Sequence, residues 1–108
     1  MHLDTSTLDG HLLVAPTSDR LDTANAATFL RDTLARLDGN HRVVIDLVGV
    51  DFIDSTGLGA LVAVRRALGE EGQLRLVSAN PRLRLLLDMT RLAGVLPMFA
   101  TVREAVGS

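Results

Sequence analysis

The chain has 108 residues, 47% of them hydrophobic, with a mean hydropathy of +0.27 and a formal net charge of −2. That length and composition argue for one domain over residues 1–108 with a packed core, and against intrinsic disorder. The basic residues are all Arg and scattered, and the only aromatics are three Phe, so neither a basic nucleic-acid footprint nor a stacking platform for single strands is present.

Residues 3–16 read as two strands joined at Asp9-Gly10, since a type I′ turn needs positive φ and Gly supplies it cheaply. Leu12, Leu13, Val14 and Ala15 make the second strand a buried one, which Pro16 ends. The stretch TSDRLDTANA reads as a loop and a helix start, with Asp22 or Thr23 as the cap. Ala27, Leu30, Leu34 and Leu37 recur at helical spacing and predict one apolar stripe, and Gly39-Asn40 stops the helix. Val43 to Val48 is nearly continuous in apolar character, as strands covered on both faces are. An acidic turn follows, and then a second helix with Leu58, Leu61, Val62 and Leu68 on its stripe, ended by Glu70-Glu71-Gly72.

Leu74, Leu76 and Val77 mark a further core strand, and Asn80-Pro81 opens a third helix with Pro in the first turn, where it is tolerated. Leu83, Leu86 and Leu87 form the inner face of that helix, widened by Leu85 and Met89. Residues 93–100 suit a short extended segment, and Thr101-Val-Arg-Glu104 fits a capping box for a last short helix. The predicted fold is α/β: a mixed sheet of four to five strands, opened by an antiparallel hairpin and continued by parallel strands, with about four helices.

Most catalytic readings fail on inspection. Cysteine is absent, which removes disulfides, thiolate catalysis and zinc–cysteine sites. His2, His11 and His41 stand near strand starts without a helical pairing, so no metal site and no cofactor are expected. Gly57-x-Gly59 has Val62 where the dinucleotide fingerprint needs a third small residue, and no Gly-Lys-Ser/Thr exists for a phosphate loop. Asp54-Ser-Thr-Gly57 differs from an aspartic protease triplet because Ser55 separates the carboxylate from Thr-Gly. A nucleophile elbow would need Gly in place of Ile53. The opening MHLDTSTLDG lacks a signal-peptide pattern and no apolar run is long enough to span a bilayer, so the expectation is a cytoplasmic protein that neither enters membranes nor binds nucleic acid. What remains is the crowding of Asp54, Ser55 and Thr56 at the start of the second helix. Those side chains can cap the free N–H groups there, and the same place tolerates a phosphate.

The stretch Val50-Asp-Phe-Ile-Asp-Ser-Thr-Gly-Leu-Gly59 resembles the signature of bacterial anti-sigma factor antagonists, which are single-domain members of the STAS family. Leu21-Asp22 before an Ala-rich helix, the VVIDL strand and the ending RLAGVLPMFATVREAV are similar to the family pattern as well. Two departures stand out: Thr17-Ser-Asp-Arg20, where the family usually has a Gly, and Arg91-Leu92, where it favours Gly-Leu.

The resemblance implies a partner-switching cycle and no enzymatic activity in the chain itself. The unphosphorylated protein would bind an anti-sigma factor that is also a serine protein kinase, freeing the sigma factor. Phosphorylation at Ser55 would block this, and a PP2C-type phosphatase would reverse it. Asp22, Asp54, Ser55, Thr56, Gly57, Leu58 and Gly59 are the expected partner-binding residues, with Asp51 completing an acidic rim. Leu58 reads equally as an apolar partner contact or a first-turn core residue, while Thr56, the rival acceptor, reads mainly as a cap. The competing function is a stand-alone STAS accessory subunit of an ABC-type lipid transporter. Oligomeric state is left open.

Overall fold

The computed structural model describes residues 1–107. Strands β1 (Leu3–Leu8) and β2 (His11–Pro16) form the expected antiparallel hairpin. Asp9 and Gly10 both have positive φ, 50° and 79°, as a type I′ turn requires. β4 (Arg42–Asp46), β6 (Gln73–Val77) and β7 (Met98–Phe99) then add in parallel, giving a five-stranded sheet in the order β1-β2-β4-β6-β7.

Two further strands are too short for the sequence pattern to show. β3 (Arg20–Leu21) and β5 (Phe52–Ile53) pair in parallel as a separate ribbon. They anchor the two loops that flank the Asp54 turn, helped by Asp51 N–H donating to the Asp19 carbonyl at 2.7 Å.

Helices α1 (Ala26–Arg36), α2 (Ser55–Ala67) and α3 (Pro81–Met89) contribute to the larger core on one face of the sheet, and α4 (Val102–Gly107) covers the other. Alternation along β4 serves both: Val43 and Ile45 join the larger core, while Val44 meets Ala105 of α4. On that second face the buried His11 lies 3.0 Å from Arg75 Nη1, which also donates to the Ala105 carbonyl. α4 is therefore pinned by polar as well as apolar contacts.

Several sequence expectations are corrected by packing. β4 stops at Asp46, because its carboxylate accepts the Val48 N–H at 3.0 Å and turns the chain, leaving Val48 exposed. α1 is rotated from the predicted stripe: Ala26, Phe29 and Thr33 are buried, Leu30 and Leu37 are half-buried, and Ala27 and Leu34 face solvent. Its N-cap position is Asn25, with no side-chain cap; Asp22 instead closes a turn by accepting from Asn25 and Ala26 through its carbonyl. α2 ends at Ala67, three residues before Glu70, where Gly69 adopts φ +75°. Val64 joins its buried face, while Val62 is half-buried.

On α3, Leu85 and Met89 do not widen the inner face; they are 58% and 73% exposed. The Asn80 cap holds as expected, accepting the Arg82 N–H at 2.9 Å, and Thr101 Oγ1 accepts the Glu104 N–H at 3.1 Å to start α4. No helix among the described residues is long and apolar enough to cross a membrane.

Candidate functional site

The site lies at the carboxyl ends of the central strands, where α2 begins beside the β3–β5 ribbon. Asp54 is the N-cap of α2, with extended backbone. One carboxylate oxygen, Oδ1, accepts the Gly57 N–H at 2.8 Å. The other, Oδ2, accepts from Thr23 twice, from the backbone N–H at 3.1 Å and from the hydroxyl at 3.2 Å. Thr23 belongs to the loop before α1, so this contact ties two distant segments together.

These donors hold the Asp54 carboxyl below the usual carboxylate range, the Gly57 N–H most of all, against an opposing effect of burial. Asp54 is thus an ionised cap with both carboxylate oxygens engaged. It is not disposed to act as a base toward its neighbour.

Thr23 also connects sideways. Its hydroxyl oxygen lies 3.2 Å from that of Thr56. Since Thr23 has a single hydroxyl proton and the carboxylate is the stronger acceptor, Thr23 donates to Asp54 and Thr56 donates to Thr23. The result is a closed chain, Thr56 to Thr23 to Asp54. Ser55 stands outside it: the first residue of α2, exposed, with no hydrogen-bond partner for its hydroxyl among the described residues.

The two glycines differ. A Cβ on Gly57 would lie 2.2 Å from the Leu21 carbonyl oxygen, so the helix can approach β3 this closely only without a side chain. Gly59 has nothing within 4 Å of such a Cβ. It lines a shallow groove of about 210 Å³ between α1 and α2, together with Ala26, Ala27, Leu30, Thr56 and Ala60.

Of the residues singled out in the sequence, Asp22, Asp54, Ser55, Thr56 and Gly59 gather at this end of the molecule, while Gly57 and Leu58 lie beneath it. Leu58 is only 3% exposed and belongs to the core, so the core alternative holds and the surface contact does not. Thr56 is not the helix cap, because Asp54 fills that role. The acidic rim is weaker than its sequence suggests. Asp22 forms a 2.8 Å ion pair with Arg20 and also accepts the Ala24 N–H, with its side chain just 13% exposed.

Sequence reasoning missed Thr23 as a clamp, Arg20 as the Asp22 counter-ion, and Phe52. Phe52 is half-exposed, with the Arg20 guanidinium carbon 5.5 Å from its ring centre. Asn80, besides capping α3, donates to the Asp51 carbonyl at 3.1 Å and ties a third loop to the site. No group of three potential metal ligands occurs among the described residues. Chemically, the arrangement displays one unengaged hydroxyl with no base of its own.

Comparison with known proteins places this geometry in context. The model of the STAS domain family matches residues 2–105. A Bordetella bronchiseptica protein, BtrV, described provisionally as an anti-sigma factor antagonist, is 31% identical in an alignment spanning 100% of this chain and 93% of its own. The crystal structure of an anti-sigma factor antagonist from Mycobacterium paratuberculosis superposes with a TM-score of 0.85 at 26% identity, covering 98% of this chain and 91% of the other. The phosphorylated form of the Bacillus cell fate determinant SpoIIAA gives 0.70 at 18% identity, covering 98% and 97%, a likeness of fold.

Proposed function

The chain belongs to the STAS domain family, and we propose that it acts, as a single STAS domain over residues 1–108, as an anti-sigma factor antagonist governed by phosphorylation of Ser55. Unphosphorylated, it binds an anti-sigma factor that is also a serine protein kinase, and the sigma factor is released. Phosphoryl transfer from ATP to Ser55 ends that binding, and a PP2C-type phosphatase restores it. The cycle runs in the cytoplasm. The chain itself is ligand and substrate, and the catalysis belongs to its partners.

The observation that carries this reading is the contrast between Asp54 and Ser55. The carboxylate that could have captured or activated the Ser55 hydroxyl already accepts from Gly57 and Thr23 on both oxygens, and the hydroxyl stays exposed, dependent on an external base. A phosphate there adds about −1.5 to −2 charges at a helix start, a place that accepts negative charge without unfolding the protein. It would sit beside Asp54 and next to Thr56, which lines the groove together with Gly59. Charge repulsion and desolvation then oppose docking of the partner. Gly57 and Leu58 serve this surface from beneath, by setting the height of the first turn of α2 over β3.

The test is paired capture from native lysate with Ser55→Ala and Ser55→Asp baits, with the bound chains identified by mass spectrometry. A serine kinase retained by the Ala bait and lost with Asp is the expected result. Recovery of the same partners by both baits would count against a switch at Ser55. If that shared partner were a transport ATPase, the accessory-subunit role would replace this one.

A further inference from the structure

Two exposed hydroxyls occupy the first turn of α2, and they are not equivalent. We propose that Thr23 biases which of them is modified: by holding the Thr56 hydroxyl in a hydrogen-bond chain, it makes Ser55 the favoured phosphoryl acceptor. The inference rests on the reading of Ser55 as a switch and adds a specificity-determining residue on a separate segment of the chain.

In phosphoryl transfer from ATP, the acceptor oxygen forms a bond to the γ-phosphorus while the bond from that phosphorus to the β–γ bridging oxygen breaks. ADP leaves, and the hydroxyl proton passes to a base on the kinase. The acceptor must therefore orient its oxygen in line and direct its proton outward. Thr56 does neither while its proton points at Thr23, 3.2 Å away. The Thr23 oxygen is in turn fixed by its own donation to Asp54 Oδ2, so Thr56 cannot easily reorient it. The Ser55 hydroxyl turns about its χ1 with no bond to break.

Thr23 is well placed for an isolating experiment. Its backbone N–H also donates to Asp54, at 3.1 Å, and that bond survives any side-chain substitution. Thr23→Val thus removes the hydroxyl from the chain while the loop stays anchored, with nearly the same shape.

The experiment expresses tagged protein in its native host and maps phosphate on positions 55 and 56 by mass spectrometry. Wild type is compared with Ser55→Ala and with Ser55→Ala combined with Thr23→Val or Thr23→Ser. Wild type is expected to carry phosphate predominantly on Ser55, and Ser55→Ala to carry a low but quantifiable level on Thr56. Adding Thr23→Val should raise Thr56 occupancy several-fold, to about tenfold, the range expected for losing one hydrogen bond. Adding Thr23→Ser should return it to the low level, which a mere packing role would not do. Urea unfolding of each variant checks that the fold is intact.

If wild type carries Ser55 phosphate but Thr23→Val leaves Thr56 as unmodified as before, the inference falls and the switch stands. Strong Thr56 phosphate already present in Ser55→Ala overturns it equally. Absence of phosphate from both positions in every protein removes the switch reading and this inference with it.

Discussion

Gly57 and Gly59 allow one substitution to be tested with opposite expected signs two residues apart on the same helix. Replacing either by Ala lowers the entropy cost of α2 and on propensity alone should stabilise it by about 1 kcal/mol. At Gly59 nothing stands within 4 Å of the new methyl, so that gain should be realised. At Gly57 the methyl would lie 2.2 Å from the Leu21 carbonyl oxygen and 2.9 Å from its carbon, both backbone atoms of β3, and 3.1 Å from Ile53 Cγ2. No rotamer change relieves a backbone clash. The first turn of α2 must lift away from β3, straining the bond from Asp54 N–H to that same carbonyl. Overpacking typically costs about 1–3 kcal/mol, and a fixed obstacle argues for the upper end. After the propensity gain is subtracted, Gly57→Ala should be destabilised by about 2 kcal/mol. Urea unfolding followed by circular dichroism measures both variants against wild type. If Gly57→Ala proved as stable as Gly59→Ala, the close approach of α2 to β3 would be wrong. The account of how Ser55 is positioned would go with it.

Thr33 and Asp54 offer two further tests. The Thr33 hydroxyl is fully buried on α1 and has no hydrogen-bond partner among the described residues, so Thr33→Val exchanges a stranded polar atom for a methyl of matching shape. It should stabilise the protein by about 1 kcal/mol and raise the melting temperature by about 4 °C in calorimetry. No change would place an unseen partner on that hydroxyl. The carboxyl of Asp54 titrates below its reference value of 3.8 when folded, chiefly because of the Gly57 N–H. Its stabilising contribution is therefore complete above the unfolded value and is lost as pH falls through the lower folded one. Urea midpoints followed from neutral pH to below 3.8 should fall less steeply for Asp54→Asn than for wild type, and parallel curves would show that the cap carries no such charge dependence.

Where hydrophobic period and turn chemistry were strong, the sequence was read correctly. Asp9-Gly10 took the predicted positive φ at both turn residues, and Asn80-Pro81 capped α3 as its chemistry demands. The motif around Asp54 indicated a crowded helix start, and that is what forms. What escaped was decided by tertiary contact. Two-residue strands such as β3 and β5 have no periodicity to detect. The inner face of α1 turned on Phe29 and Thr33, which packing selected over an apparently better leucine stripe. Thr23 lies 31 residues from Asp54 in sequence, and only the β3–β5 ribbon reveals that they meet. Leu58 is balanced between surface and core in the sequence, and the depth of α2 over the sheet decides for the core.

The charge arrangement alters how the proposed switch works. An acidic rim read from Asp22, Asp51 and Asp54 would make a phosphate one more anion among several, and its effect on docking incremental. In the structure, Asp22 is matched by Arg20, and Asp54 is held by N–H and O–H donors from Gly57 and Thr23. Asp54 keeps its formal charge under those neutral donors, and the exposed Asp51 has no ion pair among the described residues, so of the three only Asp22 has a cationic partner. A dianion added at Ser55 would deepen that negative field, and it would do so at an exposed position beside a first turn that the hydrogen-bond chain already fixes. Rigidity then favours the switch. With the cap, the clamp and the Gly57 contact setting the first turn, the proposed kinase would meet the same backbone geometry at Ser55 each time, and the phosphate would need no conformational change to be sensed.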